Sequence, residues 1–215
     1  MLLLVGLGNP SPNSSNNRHN VGFTIIDFIN SKFKLSKQKP KFKGLLTTGN
    51  IDDKKVYAIK PLTFMNSSGI CIKELIEYFK IDAKDVFVFH DDMDIDLGKV
   101  KVKSGGSSAG HNGIESIDKN IGKQYSRIRI GIGRPKNNST GADYVLNNFS
   151  NDEKQSIEEV AKKIIESLSL LILIFKSSAS SFQNSLIISM YSDASAFKDG
   201  SSSSLPPFTA SMKSG

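Results

Sequence analysis

The chain of 215 residues has one cysteine, Cys71, which excludes an intramolecular disulfide and any cysteine-cluster zinc site. Histidine is almost as scarce: imidazole chemistry must fall to His19, His90 or His111. No apolar run is long enough for a bilayer, since "LSLLILIF" over 168–175 falls far short of the ~20 residues a spanning helix needs. The opening "MLLLVGLGNP" lacks a basic leading segment and turns at Gly8-Asn9-Pro10, so it reads as a strand and not as a signal peptide. No internal repeat is visible, and no serine occupies a G-x-S-x-G elbow. Acids are outnumbered by bases, 21 to 28, giving a formal net charge of +7. That excess favours an anionic partner, nucleic acid first, although net charge bears on encounter and not on fold. A cytoplasmic protein without a membrane span is the expectation.

What is present suits one domain large enough to bury a real core, with 38% hydrophobic and 23% charged residues. Leu2 to Val5 is a short apolar run ending in glycine, the pattern of a buried strand. Val21, Ile25, Ile26, Ile29 and Phe33 recur at helical spacing, so a helix follows. A lysine-rich connection, "SKFKLSKQKPKFK", leads to a strand pair, "GLLTTGN" and "KKVYAIKP", joined by a polar turn. "NSSGICIKELIEYFK" opens with Asn66 and Ser67 as capping candidates and carries Ile70, Leu75, Ile76 and Phe79 on one helical face. "DVFVFHDDMDI" reads as a second buried strand ending in acids. "KVKVK" and "SRIRIGIGRP" alternate as strands, with the glycine-rich "SGGSSAGHNG" and the helix "IESIDKNI" between them. Two helical segments, "GADYVLNNFS" and "NDEKQSIEEVAKKIIESL", follow. The fold class is therefore α/β: one globular domain, 1–170, with a central mixed sheet flanked by helices on both faces. Residues 171–215 form a Ser-rich tail without sustained period.

The three histidines lie in loops or at strand ends, where sites of open α/β sheets gather. His19 follows the first strand; Asp91, Asp92 and Asp94 end the "VFVFH" strand; His111-Asn112 comes after "KVKVK". Three polar loops after three strands can converge on one pocket. Cys71 lies inside a helix and reads as a small buried hydrophobe. A histidine with a carboxylate and no side-chain nucleophile suggests activation of water, which suits an ester. Blander readings compete. "GLGNPS" fails the dinucleotide pattern at Ser11, "HDDMDID" lacks EF-hand spacing, and the lysines of 32–43 fit a solvated face better than a binding patch. "SGGSSAG" could cradle phosphate or simply connect.

The segments "VGLGNP", "RHNVGF", "KPLTFMNSSG", "HDDMD", "KVKSGGSSAGHNGIESI", "RIRIGIGRP" and "GADYVLNNF" together resemble the bacterial-type peptidyl-tRNA hydrolase family, in family order from about Leu2 to Glu166. The resemblance implies hydrolysis of the ester between a peptide and the 3′ ribose of tRNA. It also implies a monomer without metal or other cofactor and without an obligate protein partner. His19 matches the catalytic histidine, and Asp91 the carboxylate that orients it. Asn9, Asn66 and Asn112 match the asparagines of the substrate site, where Phe64 and Ser14 also fall. Lys101, Lys103 and Arg129 fall where basic residues hold tRNA. Ser14 departs from the family's usual aromatic, Ser11 from its glycine, and the family's C-terminal helix is not recognisable after Ser167. On this reading Asn20 caps the helix at Val21 and sets His19 at its positive end, where the dipole disfavours imidazolium. A non-catalytic RNA-binding protein on the same scaffold is the alternative; the intact His, Asp and Asn set favours the enzyme.

Overall fold

A computed structural model describes residues 1–135 and 140–176, the last six as backbone. Its centre is a seven-stranded mixed sheet, among the described residues, in the order β2-β3-β4-β1-β5-β7-β6. The strands are β1 (Leu2–Gly6), β2 (Lys39–Lys41), β3 (Gly44–Ile51), β4 (Lys54–Pro61), β5 (Val86–Asp92), β6 (Val100–Ser104) and β7 (Ser126–Gly131). β4, β1, β5 and β7 run parallel, while β2 and β3 at one edge and β6 at the other run antiparallel to their neighbours. Helices α1 (Val21–Lys32) and α5 (Asn151–Lys176) cover one face; α2 (Ser68–Phe79) and α3 (Asn112–Ile121) cover the other. A short α4 (Gly141–Leu146) joins β7 to α5.

The apolar strands explain the two layers. Along β1, Leu2 and Leu4 enter the core beneath α1 and α5, and Leu3 and Val5 enter the core beneath α2 and α3. A strand buried on both faces needs side chains that are apolar at every position, and this one has them. Each such side chain contributes about 1.5–3 kcal/mol relative to exposure. Two glycines set how close α1 comes. A Cβ on Gly22 would lie 2.3 Å from the Phe89 carbonyl oxygen, and one on Gly6 would lie 2.2 Å from the Gly22 oxygen. Only bare backbone allows the start of α1 to rest on the ends of β1 and β5.

Several sequence expectations change. β2, Lys-Pro-Lys, lies inside the stretch read as a connection; its proline hides it, because proline is tolerated only at a sheet edge. Ile70 lies outside the buried face of α2, which consists of Ser68, Gly69, Cys71, Ile72 and Leu75. Asn20, Asn66 and Ser67 make no side-chain cap: 3₁₀ turns, Arg18–Asn20 and Met65–Ser67, lead into α1 and α2. Helix α5 runs through Leu170 to Lys176, so helical structure continues past Ser167. An apolar run without polar alternation has no period from which to tell helix from strand. The remainder of the 171–215 segment, 177–215, lies outside the described residues.

Candidate active site

The strand order reverses at β1, whose neighbours are β4 and β5, and ligand sites of open sheets form beyond the carboxyl ends at such a point. A cavity of about 490 Å³ opens there, lined by Asn9, His19, Met65, Asp91, His111 and the α4 residues Val145 and Leu146, among others. Asn9 comes from the loop after β1, His19 from the turn before α1, Asp91 from the tip of β5, and His111 from the residue before α3.

His111 reaches the site by a route the strand-end argument did not foresee. β6 is antiparallel, so the glycine loop leaves the sheet at its opposite end, where Ser104 pairs with Ser126. The loop returns along the sheet face, held by Arg127, whose Nη1 donates to the Ser107 oxygen at 2.9 Å. Arg127 is itself fixed by Asp118 of α3 at 2.7 Å. Ala109 and Gly110, both at positive φ, complete the turn into α3.

All three histidines gather around Asp91. His19 Nδ1 lies 2.8 Å and His111 Nε2 3.1 Å from the same carboxylate oxygen, Oδ1. The proton positions follow from the partners of the other nitrogens. His111 Nδ1 accepts the amide N–H of Gly113 and of Ile114, at 3.1 and 3.3 Å, and so caps α3. An accepting nitrogen carries no proton, so it is the Nε2–H of His111 that donates to Asp91. Asp91 likewise takes the Nδ1–H of His19, whose ring lines the cavity. Burial pushes the Asp91 carboxyl up, but His111 and His19 more than offset it and hold it well below the usual carboxylate range. Asp91 is therefore ionised. His90 donates its Nδ1–H to the Asp91 carbonyl oxygen at 2.8 Å, and its ring stands edge-on to His111. Burial, then the neighbouring His111, lowers its pKa to about 3, so it stays neutral.

The trio His19, Asp91 and His111 is compact enough to bracket a cation, with ligand atoms within 4.8 Å of one another. Metal ligation needs lone pairs, whereas the imidazole nitrogens facing Asp91 carry protons in this network. The donor set fits a hydrogen-bonded network and not a metal centre.

Asn9 and Asn20 form a ring of two bonds: Asn9 N donates to Asn20 Oδ1 at 2.8 Å, and Asn20 Nδ2 donates to the Asn9 oxygen at 2.9 Å. Asn20, read in the sequence as a helix cap, therefore holds the Asn9 loop. Asn9 Oδ1 accepts from Met65 N at 3.2 Å, which orients the amide and leaves Nδ2 as a donor without a protein partner among the described residues. Asn112 is exposed at the start of α3 and lines both the cavity and an adjoining groove, where it meets Asn66. Phe64 is 75% exposed, and Ser14 is buried in the 3₁₀ turn Pro12–Ser14; neither lines the cavity. Lys101 and Lys103 are exposed on β6, opposite Arg129 and Arg127. Arg129 is tied to Asp92, its Nε donating at 2.6 Å. Sequence reasoning named His111 as a candidate without foreseeing its bond to Asp91, and it missed Met65, Asn20 as the holder of the Asn9 loop, and the α4 wall. Of these only His111 carried a signal, as one of three histidines, set directly before a helix.

Fold and site define a class first: an open-sheet α/β protein with an imidazole–carboxylate pair at the strand ends. Comparison with known proteins narrows the class. The family model described as peptidyl-tRNA hydrolase matches residues 3–188, and the chain belongs to that family. It is 72% identical over 172 residues to a peptidyl-tRNA hydrolase of Pelagibacter ubique, covering 80% of this chain and 92% of that one. A Bacillus subtilis peptidyl-tRNA hydrolase is 44% identical over 167 residues, 77% of this chain and 89% of that one. The crystal structure of peptidyl-tRNA hydrolase from Acinetobacter baumannii superposes with a TM-score of 0.76 at 32% identity, over 80% of this chain and 89% of that one.

Proposed function

We propose that the chain hydrolyses the ester between a peptide and the terminal ribose of tRNA, with His19 as the base that activates water. The observation that carries this reading is the 2.8 Å bond from His19 Nδ1 to a buried Asp91, with the His19 ring lining a cavity at the strand ends. Nε2 takes a proton from water as the oxygen attacks the ester carbonyl. The imidazolium that forms is stabilised by the ionised Asp91, which also fixes the tautomer. The Nδ2 of Asn9 is a donor for the developing oxyanion. Collapse of the intermediate breaks the ester C–O bond, and the proton on Nε2 passes to the departing ribose hydroxyl. Water is consumed, and a peptide acid and a tRNA with a free hydroxyl are released.

Substrate selection falls to Asn66 and Asn112, the exposed pair in the adjoining groove, with Phe64 as an outer contact; Ser14, buried in its turn, acts through the shape of the loop before His19. Peptidyl-tRNA presents a neutral amide at the α-nitrogen; aminoacyl-tRNA presents an amine, often charged. Neutral asparagines can pair with an amide N–H and C=O but provide no carboxylate for an ammonium group. Lys101, Lys103 and Arg129 supply positive charge for the tRNA backbone. Every group this mechanism uses comes from one chain, so a monomer in the cytoplasm, free of metal and cofactor, suffices. The decisive measurement is kcat/KM for an N-acetylaminoacyl-tRNA and for the matching aminoacyl-tRNA. The blocked substrate is expected to be far faster, by up to about 10⁴-fold, and equal rates would refute a peptidyl-specific site.

A further inference from the structure

Arg18 stands immediately before His19, and its guanidinium is buried, with the residue 8% exposed. A buried guanidinium is unfavourable unless its charge and its donors are met. Here Nη1 and Nη2 have specific partners, while the buried Nε has none among the described residues. Nη2 alone reaches both carboxylate oxygens of Glu153, at 2.8 and 2.7 Å, a charge-assisted contact through one nitrogen. Nη1 donates to the carbonyl oxygens of Asn147 and Asn148, at 3.2 and 2.9 Å. The flat face of the guanidinium lies 4.3 Å from the centroid of the Tyr144 ring. Backbone pairing runs alongside, with Arg18 N donating to Asn147 O at 3.1 Å and Phe149 N donating to Asn16 O at 3.1 Å.

All these partners lie between Tyr144 and Glu153, the connection from α4 to α5. Glu153 is doubly engaged. Its Oε2 accepts from Ser150 N at 2.7 Å while its own N–H donates to Ser150 Oγ at 3.3 Å, a reciprocal cap on the first turn of α5. Burial pushes its carboxyl up, but Arg18 and the Ser150 amide more than offset that, so its pKa is lowered and it stays ionised. On the other side of the joint, Val145 and Leu146 of α4 form a wall of the cavity that His19 faces. One side chain thus bolts a wall of the site to the turn that presents the base.

We propose that Arg18, acting through Glu153, is a positioning residue that sets the α4 wall against the His19 turn, and so fixes how the scissile ester meets the base. The inference rests on the hydrolase reading above. It assigns Arg18 no contact with substrate and no proton. Removing the joint should therefore impair chemistry more than tRNA binding, because misplacement of reacting groups by about 1 Å can cost up to 10²-fold in rate.

The test compares the full-length chain with Arg18→Met, Glu153→Gln and the double variant, each assayed well below its own unfolding temperature. Each single change is expected to lower kcat by about 10–100-fold, while Kd for deacylated tRNA moves by less than about twofold. The double variant should lose no more than Arg18→Met alone, because the pair acts as a unit. Amide hydrogen exchange should quicken at 16–20 and 141–149 and not elsewhere. An unchanged kcat beside a lowered Tm would reduce the pair to a staple of the fold and overturn the proposal, as would additive losses in the double variant. If Arg18→Met does not fold, Glu153→Gln, which can keep the Ser150 cap, decides alone. If the parent cleaves no peptidyl-tRNA, it is the hydrolase reading that fails. Exchange then judges the joint independently, and unaltered exchange at 141–149 overturns it.

Discussion

Asp91 and Asp92 are neighbours at the tip of β5, yet they open onto regions that handle charge in opposite ways. Asp91 lies in a buried wedge where its partners, His19 and His111, donate to one carboxylate oxygen and, in the proposed mechanism, are neutral before the reaction. Asp92 faces the outer strand pair of β6 and β7, where cation stands against cation: Lys101 opposite Arg129, Lys103 opposite Arg127. Like charges directly opposite on a sheet are destabilising, so this arrangement needs compensation. Asp92 and Asp118 supply it to the arginines at 2.6 and 2.7 Å, whereas Lys101 and Lys103 have no direct ion pair among the described residues. A buried acid with neutral donors can meet a charge that appears only during a reaction. A partly neutralised basic edge can hold a charge that is always present, such as a phosphate backbone.

His19→Ala should break this division most clearly. The expected fall in kcat is about 10²–10⁴-fold, the usual range for loss of a general base, with tRNA affinity nearly unaltered. Single-turnover release of peptide checks it, and activity within a few-fold of the parent would remove His19 from the mechanism.

The two acids provide the next contrast. Asp91→Asn should lower kcat by roughly 10²-fold or more with KM little changed, since an amide cannot stabilise the imidazolium. Asp92→Asn should cost only a few-fold in kcat and act mainly on tRNA binding, by freeing Arg129. Comparable kcat losses at both positions would erase the distinction and point to one structural acid cluster.

Salt dependence sharpens the second half of the comparison. Neutralising Lys101 or Lys103 should flatten the dependence of tRNA affinity on salt by at most about one unit of slope per phosphate contact. Arg129, already paired, should contribute less. Lys37 and Lys39 at the other edge of the sheet serve as the control. Lysines and a proline on an edge strand keep it from pairing with other chains, so their removal should leave the slope alone. A drop at both edges would mean that the basic β6–β7 pair is not special.

The smallest expected effect is on stability. His90 has a folded pKa of about 3 against an ordinary 6.5. Between these values the unfolded chain binds the extra proton, so this contribution is full above pH 6.5 and is lost as pH falls toward 3. Tm should decline across that window, and His90→Gln should flatten the decline. A variant with the same acid limb as the parent would exclude His90 as its source.

Much of the fold was legible because its signals are local. The apolar run at Leu2–Val5, the spacing of Val21, Ile25, Ile26 and Ile29, and the turns around them need no knowledge of the rest of the chain. β2 was not legible, since Lys-Pro-Lys reads as strand only when β3 lies beside it. The end of α5 was not legible either, because an apolar run without polar alternation fits more than one structure.

By itself, the sequence determined the residue types at the site: a histidine beside a strand end, an acid at another, asparagines in glycine-rich turns, and no nucleophilic serine or cysteine to rival water. Tertiary structure alone decided their partners and protons. His111 follows an antiparallel strand and would stand at the wrong end of the sheet, had Arg127 not drawn its loop back across the face. His19 Nδ1 meets Asp91 because Gly6 and Gly22 let α1 approach the strand ends, and in the proposed mechanism that bond leaves Nε2 free for water. The physical reason is range. Helical period and turn chemistry act over a few residues, whereas a tautomer depends on a hydrogen bond between groups 72 positions apart, which exists only after the two layers have closed on the sheet.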